Sequence, residues 1–162
     1  MAAGWEAMRR EGALARWRAL CEADATLARH LPHAAARFAL EQEGLRLVIG
    51  LADSRPTIAE DGEDGEADAT FAAPAATWAK FLEAVPPRHH HNLFAMRMRV
   101  PEFRATGDEL VWAQHCHLLR RALDLGRWAL RDEGGPAPAS LRPVLGAPRG
   151  QAAPRSPPGR PA

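Results

Sequence analysis

Apolar positions recur along this chain at two distinct spacings. Between Trp5 and Leu31, the residues Ala13, Trp17, Leu20, Leu27 and Leu31 follow one another at intervals near three and four or their sums, as on one face of a helix. This spacing predicts an N-terminal helix interrupted near Asp24. Pro32 ends it, because proline lacks an amide donor and disfavours helix in the residue before it. The interval then shortens to two: Phe38 and Leu40 alternate with small or charged neighbours, Gly44 supplies a turn, and Leu45, Leu47, Ile49 and Leu51 share a face opposite Arg46. A β-hairpin is expected here, with residues 57–60 as a short third strand and 68–73, carrying Ala69 and Phe71 on one side, as a fourth.

The second half returns to the longer spacing. Pro74 suits the first turn of a helix, and Trp78, Phe81, Leu82 and Val85 then occupy i, i+3, i+4 and i+7 until Pro86-Pro87 stops it. After Arg88 and three histidines, Met96-Arg97-Met98-Arg99-Val100 alternates apolar and cationic side chains like a half-buried strand, resumed over 103–106 beyond a bulge or edge position at Pro101. Gly107 makes a turn, Asp108 is a helix N-cap, and a long final helix carries adjoining stripes of Val111, Leu118, Ala122, Leu125 and Trp112, Cys116, Leu119, Leu123. From Arg131 onward Gly, Pro, Ala, Ser and Arg dominate, with Leu141, Val144 and Leu145 as the candidate anchors. The pattern therefore predicts one α+β domain over 1–130 and a flexible tail or linker over 131–162.

Composition narrows the function classes. The 46% hydrophobic and 25% charged content is that of a globular protein, and 162 residues suffice for one domain with a real core. With 21 basic against 20 acidic residues there is no long-range field to draw nucleic acid or an anionic membrane. No apolar run approaches the roughly 20 residues of a membrane span, so stable membrane insertion is not expected. Cys21 and Cys116 are the two cysteines, and without a secretory leader at Met1 they are expected to stay reduced in the cytoplasm.

Candidate chemistry is thin. The loop Asp61-Gly62-Glu63-Asp64-Gly65-Glu66 has alternate carboxylates but not the twelve-residue pattern of a calcium loop, and is read as a solvated turn. His115 and His117 point about 200° apart on a regular helix, which keeps them from chelating one ion together. His89, His90 and His91 have no further ligand nearby in sequence; no metal site is expected, although one of these histidines or His115 remains a candidate acid/base. No serine sits in a nucleophile elbow, Cys116 lies on an apolar helix face, and no glycine-rich phosphate loop exists, so no catalytic residue and no cofactor are assigned. What remains is a supply of large apolar side chains near the strand-helix junctions: Phe71, Trp78, Phe81, Leu82, Phe94, Met96, Met98 and Trp112, with Phe103 beside them. Such residues either pack a core or line a cavity for an apolar ligand with Arg97, Arg99 or Arg104 at its mouth.

Element order adds a resemblance. The segments Ala67-Asp68-Ala69-Thr70-Phe71 leading into the Trp78 helix, and Phe103-Arg104-Ala105-Thr106-Gly107-Asp108 leading into the final helix, resemble the sterol carrier protein type 2 (SCP2-like) family over about Leu20 to Leu125. The resemblance implies a curved antiparallel sheet of about five strands under helices, enclosing an apolar tunnel for lipids or sterols. The stretch Met96 to Glu102 departs from the family's usual single return strand preceded by glycine. The expected function is binding of a lipid, sterol or other apolar small molecule without catalysis. Two alternatives stand beside it: a small enzyme, or an accessory domain of an enzyme, using histidine acid/base or metal chemistry; and an interaction module contacting its partner through an N-terminal helix bearing Trp5 and Trp17, while a partner enzyme or a second copy in a homodimer are the protein partners considered.

Overall fold

A computed structural model describes residues 4–10, 12–53, 55–60 and 66–131; the acidic stretch 61–65 and the tail 132–162 lie outside the described residues. A 3-10 turn over Gly4–Arg9 leads to helices α1 (Ala13–Ala23) and α2 (Ala25–His30), then strands β1 (Ala35–Gln42), β2 (Leu45–Ala52), β3 (Arg55–Glu60) and β4 (Ala69–Ala72). Helices α3 (Ala75–Phe81) and α4 (Leu93–Arg99), strand β5 (Arg104–Gly107) and helix α5 (Glu109–Ala129) complete the fold. The class is α+β with five strands, as the pattern predicts, in the order β3-β2-β1-β4-β5. The sheet is mixed: β1–β2, β2–β3 and β4–β5 are antiparallel, whereas β4 lies parallel to β1 with Leu40 opposite Phe71.

The N-terminal helix breaks where expected. Asp24 leaves helical geometry, its carboxylate accepts from the Leu27 amide at 2.9 Å, and α2 starts there. The same carboxylate is gripped by Arg121 of α5, which ties α2 to α5. Helix α1 is seated on α5 by Trp17, whose indole donates to the Ala122 carbonyl at 2.8 Å. Gly126 makes this approach possible, since a Cβ there would meet the Trp17 ring at 3.0 Å. At the other end of α5, Gly107 adopts φ +103° and a Cβ would run into the Asp68 backbone. The turn lets the Asp108 amide donate to Asp68 O at 2.7 Å while its carboxylate caps Leu110 and Val111.

The core is aromatic. Phe71 is ringed by Phe38, Phe103 and Trp112 at centroid distances of 6.1, 6.2 and 4.9 Å. Trp5 stacks on Trp17 at 5.5 Å and meets Trp78 and Phe81 at 5.4 and 6.1 Å. Trp5 and Trp17 are thus fully buried, and they supply no contact surface for a partner.

The sheet is thus not wholly antiparallel, because β4 runs alongside β1 in the same direction, and two expectations drawn from local spacing also fail. Residues 96–100 form no strand; 96–99 belong to α4, which starts because the Asn92 side chain accepts from the Ala95 amide at 2.8 Å, and Val100 closes the helix. Leu93, Met96 and Val100 are buried at helical spacing, while Met98 is 74% exposed. The apparent alternation arises from Arg97 and Arg99 on a short helix, where periods of two and 3.6 separate poorly. Val85 is the second: α3 ends at Phe81, four residues before it, and Val85 is 83% exposed in the irregular approach to Pro86-Pro87.

Candidate functional site

A cleft of about 320 Å³ opens between α5, the C-terminal end of α3 and the start of α4. Its apolar wall is built by Leu119, Leu123 and Trp112 of α5, with Leu93 and Phe94 of α4 and Phe81 of α3 facing them. The α5 residues reach it because positions 112, 116, 119 and 123 form one helical stripe, read in the sequence as core. Phe94 stacks on Trp112 with centroids 4.1 Å apart and ring planes inclined by 7°. Arg97 lies over the same indole and pairs with Glu109.

The polar side of the cleft carries His91, Asn92, His117, Arg120, Asp124 and Arg127. Arg127 is buried and fully engaged: it donates to Phe81 O at 2.5 Å, to Asp124 at 2.5 Å and to His91 O at 3.2 Å, and its guanidinium lies 4.0 Å from the Phe81 ring centroid. Burial lowers its pKa to about 10, partly offset by Asp124, and burial raises the Asp124 pKa against the pull of Arg127. Arg127 thereby clamps the end of α3 and the 88–92 turn onto α5, fixing the two walls of the cleft. Burial, followed by the nearby Arg120 and Arg127, holds His91 below its ordinary pKa; burial, then His30 and His115, does the same to His117.

The eight candidate residues divide. Phe81, Phe94 and Trp112 come together in the cleft. Phe71, Trp78 and Met96 are fully buried, Phe71 and Trp78 within the ring clusters; Leu82 is buried, and Met98 faces outward. The histidines scatter: His89 sits in a left-handed turn at φ +72°, His90 contacts Arg88 O at 3.1 Å, and only His91 of the run reaches the cleft. His115 has both ring nitrogens on backbone, Nδ1 against Val111 O at 2.9 Å and Nε2 accepting from Ala35 N at 3.4 Å. Among the described residues no group of three or more His, Cys, Asp or Glu converges as a metal site. Cys21 is buried and its thiol is pushed up to about 12 by burial, then by Asp24, so it stays a protonated, inert thiol. Cys116 lines the cleft instead. Sequence reasoning missed Leu119, Leu123, His117, Arg120, Asp124 and Arg127. The signal for them was that Leu119 and Leu123 continue the stripe of Trp112 and Cys116, with the polar residues on the same helix.

Comparisons with known proteins bear on the fold. No family model matches the sequence, and no curated protein matches it significantly. Solved structures do match. The crystal structure of sterol carrier protein 2 aligns over 71% of this chain and 92% of its own at 18% identity and a TM-score of 0.54. A conserved hypothetical protein of Thermus thermophilus, described as possibly a sterol carrier protein, aligns over 79% and 90% at 15% identity and 0.57. Apo sterol carrier protein 2 from Yarrowia lipolytica aligns over 78% and 98% at 11% identity and 0.50. The chain has the SCP2-like fold. At these identities the likeness is one of fold, and function has to be argued from the site.

Proposed function

We infer that this protein binds a lipid-like or otherwise apolar small molecule, and that the molecule lies in the cleft between α5, α3 and α4. The observation that carries the reading is the cleft's composition: an apolar wall of Leu93, Phe94, Trp112, Leu119 and Leu123 facing a polar rim. Its volume falls at the lower end of the roughly 300–1,000 Å³ of small-molecule sites. The SCP2-like fold, shared with proteins named for sterol carriage, supports the same class of ligand. Ring-on-ring packing of Phe71, Phe38, Phe103 and Trp112 favours this cleft over an enclosed tunnel beneath the sheet. No helix among the described residues is long and apolar enough to cross a membrane.

Cys116 offers the test, because it lines the cleft from a partly exposed position. A fluorescent fatty acyl probe titrated into the wild type should bind saturably and quench Trp112, whereas Cys116→Trp, which fills the space, should weaken binding by about tenfold or more. Saturable binding that Cys116→Trp leaves unchanged would move the ligand elsewhere, and absence of saturation in the wild type would remove the reading.

A further inference from the structure

Helix α2 and the residues after it are tied to α5 by polar contacts of two kinds. At the start of α2 the tie is an ion pair, Arg121 with the Asp24 carboxylate at 2.5 Å. At its end the ties are imidazoles. His30, the last residue of α2, meets His117 of α5 with ring centroids 5.5 Å apart and planes inclined by 88°. Beyond the 3-10 turn Leu31–His33, the Ala35 amide donates across to His115 Nε2 at 3.4 Å. Hydrogen-bond chemistry fixes the state of that ring. The Val111 carbonyl, 2.9 Å from Nδ1, can only accept, so Nδ1 carries the proton; the Ala35 N–H can only donate, so Nε2 is bare. A second proton on His115 goes to Nε2 and sets a donor against a donor.

We propose that this junction is a pH-sensitive latch: acid breaks the bond from Ala35 to His115 and charges the His30–His117 contact, so that the segment 28–35 comes away from α5 while Asp24–Arg121 keeps α2 tethered at its start. Neutral imidazoles pack ring to ring, whereas two imidazolium rings at this separation repel. The surroundings reinforce the repulsion. The titratable groups facing His117 are His30 and His115. Arg29 and His33 flank His30, and Arg120 follows His117 along α5; Asp24, the carboxylate of this junction, is taken by Arg121. Burial, then His30 and His115, already lowers the His117 pKa, so folding favours its neutral ring and that contribution is lost as pH falls below the ordinary 6.5. The ion pair contains no histidine, which makes the opening local rather than global. His117 also lines the cleft, so the opening lies at the cleft's edge. Nothing in the latch depends on what the cleft binds.

Nitrogen NMR of the histidine rings and amide hydrogen exchange, both on the full chain, test this. At neutral pH the wild type should show His115 protonated at Nδ1 and bare at Nε2; a proton on Nε2 would overturn the latch without any variant. On passing from about pH 7.5 to about pH 5.5, protection of the Ala34 and Ala35 amides, corrected for the intrinsic pH dependence of exchange, should fall by about tenfold or more, while amides of β2 keep theirs. Combining His30→Gln, His115→Gln and His117→Gln removes the titrating rings and leaves an amide oxygen at position 115 to accept from Ala35. That variant, its fold checked by a melting curve at neutral pH, should protect Ala34 and Ala35 equally at both pH values. Unchanged protection in the wild type, or a fall that persists in the triple variant, would overturn the proposal. Loss of protection in β2 in step with Ala34 and Ala35 would replace the latch with acid unfolding of the whole domain.

Discussion

Phe81 shows how one side chain joins core to cleft. It is 1% exposed, touches Trp5 and Trp78 ring to ring, lies under the Arg127 guanidinium, and still lines the cleft. Its truncation removes packing on several sides, so Phe81→Ala should cost the roughly 3–5 kcal/mol of a packed-core phenylalanine, read from urea unfolding; a loss under about 1 kcal/mol would mean the ring borders a void already present. The histidines of the cleft give a pH signature. His91 and His117 have folded pKa values below the ordinary 6.5. The unfolded chain therefore binds protons first, and the stability these residues contribute is complete above about 6.5 and is lost as pH falls through their depressed folded values. Unfolding midpoints should fall between neutral and mildly acidic pH, and the fall should shrink in a His91→Gln, His117→Gln double variant. An identical pH profile in that variant would assign the acid sensitivity to other groups.

At the scale of elements, α4 separates the two readings of one stretch of sequence. A strand over 96–100 puts Met96 and Met98 on the same face, where their truncations would cost alike. The helix buries Met96 completely and leaves Met98 74% exposed. Met96→Ala should therefore cost about 2–5 kcal/mol and Met98→Ala less than about 0.5 kcal/mol; equal losses would restore the strand. Elements with clear periods were legible in the sequence: the β1–β2 hairpin turning at Gly44, the Trp78 helix, and α5 with its Asp108 cap. Residues 93–99 were not, because seven residues hold fewer than two helical turns and the alternating arginines imitate a strand. The parallel seating of β4 against β1 was equally hidden, since the alternation of Ala69 and Phe71 is the same for either direction of pairing. Of the cleft, the sequence singled out Phe81, Phe94 and Trp112; its other wall was obscured because Leu119 and Leu123 read as ordinary core, and Arg127 reads as surface until its carbonyl partners at Phe81 and His91 are known.

For the molecule as a whole, the sheet and the aromatic core act as a rigid platform and the cleft lies to one side of them, along α5. Two ion pairs on α5 help hold the helices in place: Asp24–Arg121 ties α2 to α5, and Arg127, paired with Asp124 on the same helix, donates to the Phe81 and His91 carbonyls and so ties the end of α3 and the 88–92 turn to α5. Removing one partner of such a pair leaves a buried charge unmatched, so Arg121→Met should cost about 3–5 kcal/mol in urea unfolding while leaving ligand affinity in the folded fraction intact. Arg127→Met should change affinity as well, because it releases the 88–92 turn that forms one wall. The proposed binding mode holds an apolar ligand against α5 and α4 rather than inside the sheet. Methyl NMR of leucine- and isoleucine-labelled protein during a decanoic acid titration tests it most directly. Binding in the cleft should give saturable shifts at Leu93, Leu119 and Leu123 with Leu47 and Ile49 of β2 unmoved; saturable shifts centred on Leu47 and Ile49, with the cleft leucines unmoved, would place the ligand inside the sheet instead.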